Sequence, residues 1–469
     1  MGPINTRPTR RRVVEGLGAG ALAGGAALET AGAQARRRPN ILFVMADDLG
    51  YADLSCYGRR DYQTPVLDRL ARQGARLTQG YANSAVCSPT RAALITGRYH
   101  HRLPAGLQEP IAGAEAEAGL PPSHPTLPSL LKRVGYRTAL IGKWHLGFAP
   151  NYGPLKSGYD YFYGVYPGAA DYFHRPTAAA APGQRPGVPL YENDTAIQPP
   201  GYLTDLLADA AIREIAQATR ERPFLVSLHF TAPHWPWEGP DDEAASRSIT
   251  ALRHPDGGNA RVYGAMVRSM DAAIGRVLQA IERRGATRDT IVVFTSDNGG
   301  ERFSDTWPFT GMKGELLEGG IRVPLLVRWP GRVPAGSAPE QVMISMDFLP
   351  TLLAAAGAAH DRETPPDGED LLPVLTGAAP ARPRKLFWRF KASEQAAVRD
   401  GDWKYLKLGG REHLFNLAED PRERAQLKDR HPEIFDRLKA DYAAWDATML
   451  PYPQGSFSES LKGRVPDRY

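Results

Sequence analysis

Two cysteines, Cys56 and Cys87, are all that 469 residues contain, too few for a disulfide framework or a cysteine-rich metal site. Neither sign of charge dominates. Lysine and arginine number 57 against 52 aspartates and glutamates, and the small surplus is spread along the chain, which argues against a nucleic-acid partner. No run beyond residue 35 is apolar enough to span a bilayer, and there is no internal repeat. With 42% hydrophobic and 23% charged residues, disorder, collagen and a coiled coil are excluded. Glycine and proline are plentiful instead: 47 and 41 of them exceed what a helical bundle uses and predict many turns and long connections. The length allows two or three domains.

The first residues read as an address. Arg10-Arg-Arg12 is followed by a weakly apolar Gly/Ala stretch to Leu28, and Ala33-Gln-Ala35 supplies a small-residue cleavage site. That order predicts a twin-arginine export signal over residues 1–35 and a periplasmic or secreted product. A membrane helix is the alternative, but Glu15 and the glycines leave the stretch too polar to span.

Asn40-Ile-Leu-Phe-Val-Met-Ala46 is a short continuous apolar run, the pattern of a parallel strand buried on both faces. Arg137–Gly142, Pro223–Phe230 and Thr290–Thr295 repeat it. Helical patterns lie between them: Pro65 to Gln73 with Thr64 as N-cap and Gly74 past the end, Thr126–Val134, and a stripe of Tyr263, Met266, Val267, Met270, Ile274, Val277, Leu278 and Ile281 that reads as core. Alternating strands and helices predict an α/β domain with a mostly parallel sheet flanked by helices over residues 36–378. Stretches 148–201, 235–259 and 299–320 read as long irregular rims. A composition change at 376–384 marks a boundary to a smaller α+β domain, 379–469. It should hold short antiparallel strands (Leu386–Phe390, Trp403–Leu408, His413–Asn416) and a helix near 431–445.

What ends each apolar run carries the chemistry. The first ends in Asp47-Asp48, the second in Lys143-Trp-His145, the third in Thr231-Ala-Pro-His234 and the fourth in Asp297-Asn298. Ligands of open α/β sheets bind beyond the carboxyl ends of the strands, so these groups should meet at one edge. Asp47, Asp48, Asp297 and Asn298 offer hard oxygens and no thiolate, a set suited to calcium or magnesium. Pro89 places Cys87 at a helix start, where free backbone N–H groups face an anion, and Arg91 is one turn on. A Cys56–Cys87 disulfide is the competing reading of that cysteine.

Cys87-Ser-Pro-Thr-Arg91, in this context, resembles the C-x-P-x-R signature of the formylglycine-dependent sulfatases, with the closest feel to arylsulfatases and N-acetylgalactosamine-6-sulfatase-like members. The similarity runs from Pro39 through Gly142-Lys-Trp-His-Leu-Gly147, Ala232-Pro-His-Trp-Pro236, Thr295-Ser-Asp-Asn-Gly-Gly300 and Lys313 to Pro324, as far as Asp402-Trp-Lys-Tyr405. It implies an alkaline-phosphatase-like fold and hydrolysis of sulfate monoesters, of carbohydrates and of aryl alcohols, through a formylglycine hydrate and a covalent sulfo-enzyme intermediate. It further implies one calcium ion held by Asp47, Asp48, Asp297, Asn298 and the oxygen on modified Cys87. Arg91 would steady the hydrate, Lys143 and Lys313 would clamp sulfate oxygens, His145 would act as base, and His234 would protonate the leaving oxygen. A formylglycine-generating enzyme is then a transient partner. His229, inside an apolar run, reads as a core or supporting histidine. His100 and His101 read as solvated or rim residues, and Trp235, Trp237, Asp171 and His174, in the long loops, read equally as pocket border or as core packing. The rival enzyme is a phosphonate monoester or phosphodiester hydrolase of the same superfamily. Those relatives carry Asp-His where this chain has Asp297-Asn298, and an amide oxygen suits calcium better than it suits softer metals. A catalytically silent carbohydrate-binding protein on this fold would not need every motif residue that the chain retains.

Overall fold

The computed structural model describes residues 38–113, 118–178, 185, 187–219, 221–254 and 257–460, and the export signal expected over 1–35 lies outside them. In chain order the strands are β1 (Asn40–Ala46), β2 (Ala75–Leu77), β3 (Gly80–Tyr81), β4 (Arg137–Lys143), β5 (Tyr161–Val165), β6 (Leu190–Glu192), β7 (Thr195–Ile197), β8 (Phe224–His229), β9 (Thr290–Ser296), β10 (Leu325–Arg328), β11 (Met343–Ile344), β12 (Lys385–Phe390), β13 (Gln395–Asp400), β14 (Trp403–Leu408) and β15 (Arg411–Asn416). Nine of them form one sheet in the order β2-β10-β9-β1-β8-β4-β5-β6-β7. The central pairs β9–β1, β1–β8, β8–β4 and β4–β5 are parallel, and antiparallel strands close both edges. The four apolar runs read from the sequence are thus four neighbours in the middle of one sheet.

Their continuous hydrophobicity follows from burial on both faces. Along β1, Leu42, Val44 and Ala46 enter one core with the helices Pro65–Gln73, Leu203–Ala216 and Ala260–Arg283. Ile41, Phe43 and Met45 enter the other, against the helices Cys87–Thr96, Leu127–Lys132 and Phe348–Ala356. The stripe from Tyr263 to Ile281 is buried in the first core, as its spacing predicts. The helix at Pro65 differs in one detail: its first N–H groups are capped by Asp271, whose carboxylate accepts from Val66 N at 3.1 Å and Leu67 N at 2.9 Å, rather than by Thr64. A long-range cap of this kind leaves no local mark in sequence.

The expected irregular stretch 148–201 contains more order than its composition suggests. β5 continues the parallel sheet, and β6 and β7 form a hairpin at its edge. Gly164 is what allows β5 to pair so closely, since a Cβ there would lie 1.9 Å from the carbonyl oxygen of Gly142. Beyond the large sheet, β12 to β15 form a separate antiparallel sheet, with the helix Pro432–Asp446 packed on β13 and β14. β13 had no counterpart in the sequence reading, because Gln395-Ala-Ala-Val-Arg-Asp400 is only weakly apolar. Trp388 of β12 is fully buried and donates from Nε1 to Ala82 O at 2.8 Å, which ties the small sheet to the segment leading into the Cys87 helix.

Candidate active site

Because β9, β1, β8 and β4 are parallel neighbours, their carboxyl ends deliver Asp297-Asn298, Asp47-Asp48, His234 and Lys143-Trp-His145 to one edge of the sheet. The backbone turns sharply there. Asp48 and His145 sit in the left-handed region at φ 61° and 56°, a conformation that side chains with a Cβ adopt only when the surroundings enforce it. Asp48 N donates to Asp297 Oδ1 at 3.2 Å, and Leu49 N to Ser296 Oγ at 3.0 Å, so the two acidic turns hold each other.

Every acidic group in this edge has a basic neighbour. Lys143 Nζ donates to Asp47 Oδ2 at 2.6 Å, and Lys313 Nζ to Asp48 Oδ2 at 2.6 Å. Arg91 donates from Nε and from the adjacent guanidinium nitrogen to Asp297 Oδ2 at 3.1 and 2.8 Å, and its other branch reaches Lys143 O at 3.1 Å. All these side chains are buried. Burial, then the neighbouring Asp297, pushes the Asp47 carboxyl well above the ordinary range. Burial acts the same way on Asp297, but the guanidinium of Arg91 and the ammonium of Lys143 outweigh it and hold that carboxyl below its usual value.

A divalent cation fits this donor set. Asn298 donates its amide nitrogen to Asp48 Oδ1 at 2.8 Å, while its own carbonyl oxygen and Asp47 Oδ1 are buried with no hydrogen-bond partner. Buried oxygens without partners are costly, and hard oxygens in an acidic cluster are what a hard cation binds. Asp47, Asp48, Cys87 and His234 each present one ligand atom, and these atoms lie within 4.8 Å of one another.

Cys87 is the first residue of the helix Cys87–Thr96, with Pro89 in its first turn. It is buried and bonded to no other cysteine, and Cys56 is likewise free. Burial pushes the Cys87 thiol far up, against the pull of Lys143 and Lys313, so as an unmodified thiol it is a poor nucleophile. His145 and His234 line the same cleft as Cys87. His145 meets Ile111 O through Nε2 at 3.0 Å, and its Nδ1 is buried without a partner. Gly168 packs flat against its ring, where a Cβ would lie 2.4 Å from Cε1. His234 uses Nδ1 to bond Trp235 O at 2.7 Å, which turns Nε2 toward Asp48 Oδ2, 3.6 Å away. Burial first, then Lys143 for His145 and Lys313 for His234, lowers both imidazoles well below their ordinary pKa and keeps them neutral.

Cys87, His145, His234 and Lys313 open into a cleft of ≈ 350 Å³ whose further walls are mainly apolar, with Trp235 among them. The structure therefore brings together Asp47, Asp48, Cys87, Arg91, Lys143, His145, His234, Asp297, Asn298 and Lys313. Other expectations need correction. His100 and His101 are fully buried, not solvated: their rings lie 3.7 Å apart, and His101 meets Arg389 O at 3.0 Å, beneath Trp445 and Tyr452 of the C-terminal segment. Trp237 is buried against Phe303, and Asp171 is buried under Arg185, so both pack the loops instead of bordering the cleft. His229 ends β8 in register with Gly142, and burial lowers its pKa to about 3, in keeping with a supporting role. Glu301 is a residue that the motifs did not single out. Its Oε2 accepts from Trp235 Nε1 at 3.2 Å and lies 3.4 Å from Lys313 Nζ, linking the cleft wall to the site; the only signal in sequence was its place just after Gly299-Gly300.

The family model described as Sulfatase matches residues 39–358, and one described as N-sulphoglucosamine sulphohydrolase, C-terminal, matches residues 312–444. The chain is similar to steryl-sulfatase of Mus musculus, 33% identical over 89% of this chain and 84% of that protein. It is also similar to N-acetylgalactosamine-6-sulfatase of Mus musculus, 33% identical over 81% and 74%. Among solved structures, that of Ps i-CgsB in complex with k-i-k-neocarrahexaose superposes with a TM-score of 0.80 at 30% identity, covering 91% of this chain and 96% of that one.

Proposed function

The chain belongs to the sulfatase family and is a sulfuric ester hydrolase, and from that premise we propose that it works through a formylglycine made from Cys87, with calcium at the acidic cluster and a sulfated carbohydrate as substrate. The observation that carries the reading is the meeting of Cys87, at a helix start, with two lysines, two neutral histidines and a set of buried hard oxygens at one sheet edge. When bound, a calcium ion held by Asp47, Asp48, Asp297 and Asn298 would polarise the sulfate.

The chain's own residues divide the remaining work. The thiol is too strongly held in its protonated form to attack, which favours its replacement by an oxygen nucleophile. Arg91 reaches from the first turn of the same helix to Asp297 and Lys143 O, so it fixes the position from which the nucleophile acts. Lys313 lines the cleft, and Lys143 lies buried beside Asp47 at the same sheet edge, and we assign to these two ammonium groups the neutralisation of charge on the sulfate oxygens. His145, neutral and wedged against Gly168, takes the proton from the second hydroxyl of the hydrate, which expels sulfate and restores the aldehyde. His234 donates from Nδ1 to Trp235 O and so faces the cleft with an unprotonated Nε2, which takes the proton that the attacking hydroxyl loses and passes it to the departing oxygen.

The carbohydrate part of the reading is supported by the relatives named for an aminosugar sulfate and by the solved complex with an oligosaccharide. Export through the twin-arginine route, with modification of Cys87 beforehand by a formylglycine-generating enzyme, completes the proposal and rests on the leader sequence alone. Among the described residues no helix is long and apolar enough to cross a membrane. The test is a side-by-side assay of 4-nitrophenyl sulfate and 4-nitrophenyl phosphate. Preferred release from the sulfate ester is expected, and faster phosphate ester cleavage would overturn the reading.

A further inference from the structure

After the helix Pro432–Asp446 the chain does not end at the small sheet but returns to the catalytic cleft. Leu450 N donates to His101 O at 3.1 Å, and Tyr452 Oη to Glu109 Oε1 at 2.5 Å. Ser458 Oγ donates to Glu109 Oε2 at 2.8 Å, while the backbones pair through Glu109 N to Phe457 O at 3.0 Å and Glu459 N to Glu109 O at 2.6 Å. Glu109 is fully buried, and its carboxylate and both backbone groups are all engaged by residues 452–459 or by Lys391 N. This is a fastening of one segment to another, not a surface contact.

The fastening has a direct consequence for the site. Residues 110–112 follow Glu109 and line the cleft, so the segment bound alongside them is brought to the same mouth. Phe457 and Glu459 line the cleft together with Cys87, His145, His234 and Lys313. Opposite them, Arg253 lines it from the 235–259 loop, and its guanidinium stands 3.9 Å from Glu459 Oε1. The pair is long and only partly shielded, with the two side chains 35% and 16% exposed, so each keeps hydrogen-bonding capacity for a third party.

The walls distinguish kinds of leaving group. A steroid or plain aryl ring lodged at this mouth would meet the apolar walls but would strip water from a carboxylate and a guanidinium without replacing their hydrogen bonds. A pyranose offers hydroxyl donors to the carboxylate, oxygen acceptors to the guanidinium, and an apolar C–H face to Trp235 and Phe457. We propose that Glu459 and Arg253 form a subsite for the hydroxyl groups of a sulfated sugar, carried to the cleft by the C-terminal segment that Glu109 fastens. The subsite rests on the sulfatase reading above and adds to it the residues that select the alcohol half of the ester.

The test uses the full-length, modified enzyme, the variants Glu459→Ala and Arg253→Ala, and two kinds of probe. One is 4-nitrophenyl sulfate, which carries no sugar hydroxyls. The other is the best-cleaved member of a panel of galactose, N-acetylgalactosamine, glucosamine and fucose sulfates. Loss of one hydrogen bond to a charged partner should lower kcat/KM for the sugar about 10- to 100-fold, chiefly through KM, and change it by less than about 3-fold for 4-nitrophenyl sulfate. Melting temperatures matched to the parent show that the variants are folded. Equal losses on both probes, or none on the sugar, would overturn the subsite. A parent enzyme that cleaves 4-nitrophenyl sulfate but no sugar in the panel would overturn it too. A parent that cleaves neither kind of sulfate fails at the earlier step, as a sulfatase, and the two failures are thereby told apart.

Discussion

Replacing His234 with alanine should hurt poor leaving groups far more than good ones. His234 is buried, its Nδ1 is committed to Trp235 O at 2.7 Å, and its Nε2 is directed toward Asp48 and the cleft. A positioned general acid contributes about 10²- to 10⁴-fold when the departing oxygen is basic, or about 3–5 kcal/mol of barrier at 1.36 kcal/mol per tenfold. An alkyl or sugar alkoxide needs that proton, whereas 4-nitrophenolate is stable enough to leave without it. His234→Ala should therefore lower kcat on a sugar sulfate by about 10²- to 10⁴-fold, and on 4-nitrophenyl sulfate by less than about tenfold. The assay is a series of phenyl sulfates of graded phenol acidity with one sugar sulfate, followed as released sulfate. The dependence of log kcat on leaving-group acidity should steepen in the variant. Parallel loss across the series would refute the acid role of His234, and the same steepening in His145→Ala alone would mean that the two histidines have exchanged roles.

Chelation should abolish turnover, and calcium should restore it. Asp297→Ala should lose both bound metal, by elemental analysis, and activity, because it also removes the anchor of Arg91. Since burial and Lys143 depress the pKa of His145, the base stays neutral as the pH falls, and the acid limb of kcat/KM should lie below the ordinary histidine value near pH 6.5. Trp388→Ala removes a fully buried indole and its bond to Ala82 O, and should cost roughly 3–5 kcal/mol in denaturant unfolding. Replacing Arg10, Arg11 and Arg12 with lysine should retain the protein in the cytoplasm, as judged by cell fractionation.

The sequence made the centre of the molecule legible because its strands are buried on both faces. Such strands read as unbroken apolar runs, and in a parallel sheet their polar terminators must converge. That is why Asp47, Asp48, Lys143, His234, Asp297 and Asn298 were found together. What escaped was set by contacts distant in the chain. His100 and His101 are covered by Trp445 and Tyr452, Asp271 caps a helix some two hundred residues earlier, and Glu109 fastens residues 452–459. None of these pairings has a local period. β5 and β13 were missed for a different reason, since aromatic-glycine and alanine-rich strands lack the branched apolar run of the central ones.

Cys87→Ser separates attack on sulfur by an oxygen at position 87 from release of the sulfate. A serine keeps an attacking oxygen at the helix start but lacks the second hydroxyl whose deprotonation by His145 releases sulfate. Incubated with 4-nitrophenyl sulfate, the variant should liberate at most about one phenol per chain and then stop. Intact-mass and peptide analysis should find one sulfo group on the introduced serine. Sustained turnover by the variant, with no sulfo group on the chain, would mean that water attacks the sulfate directly and that Cys87 is not the nucleophile.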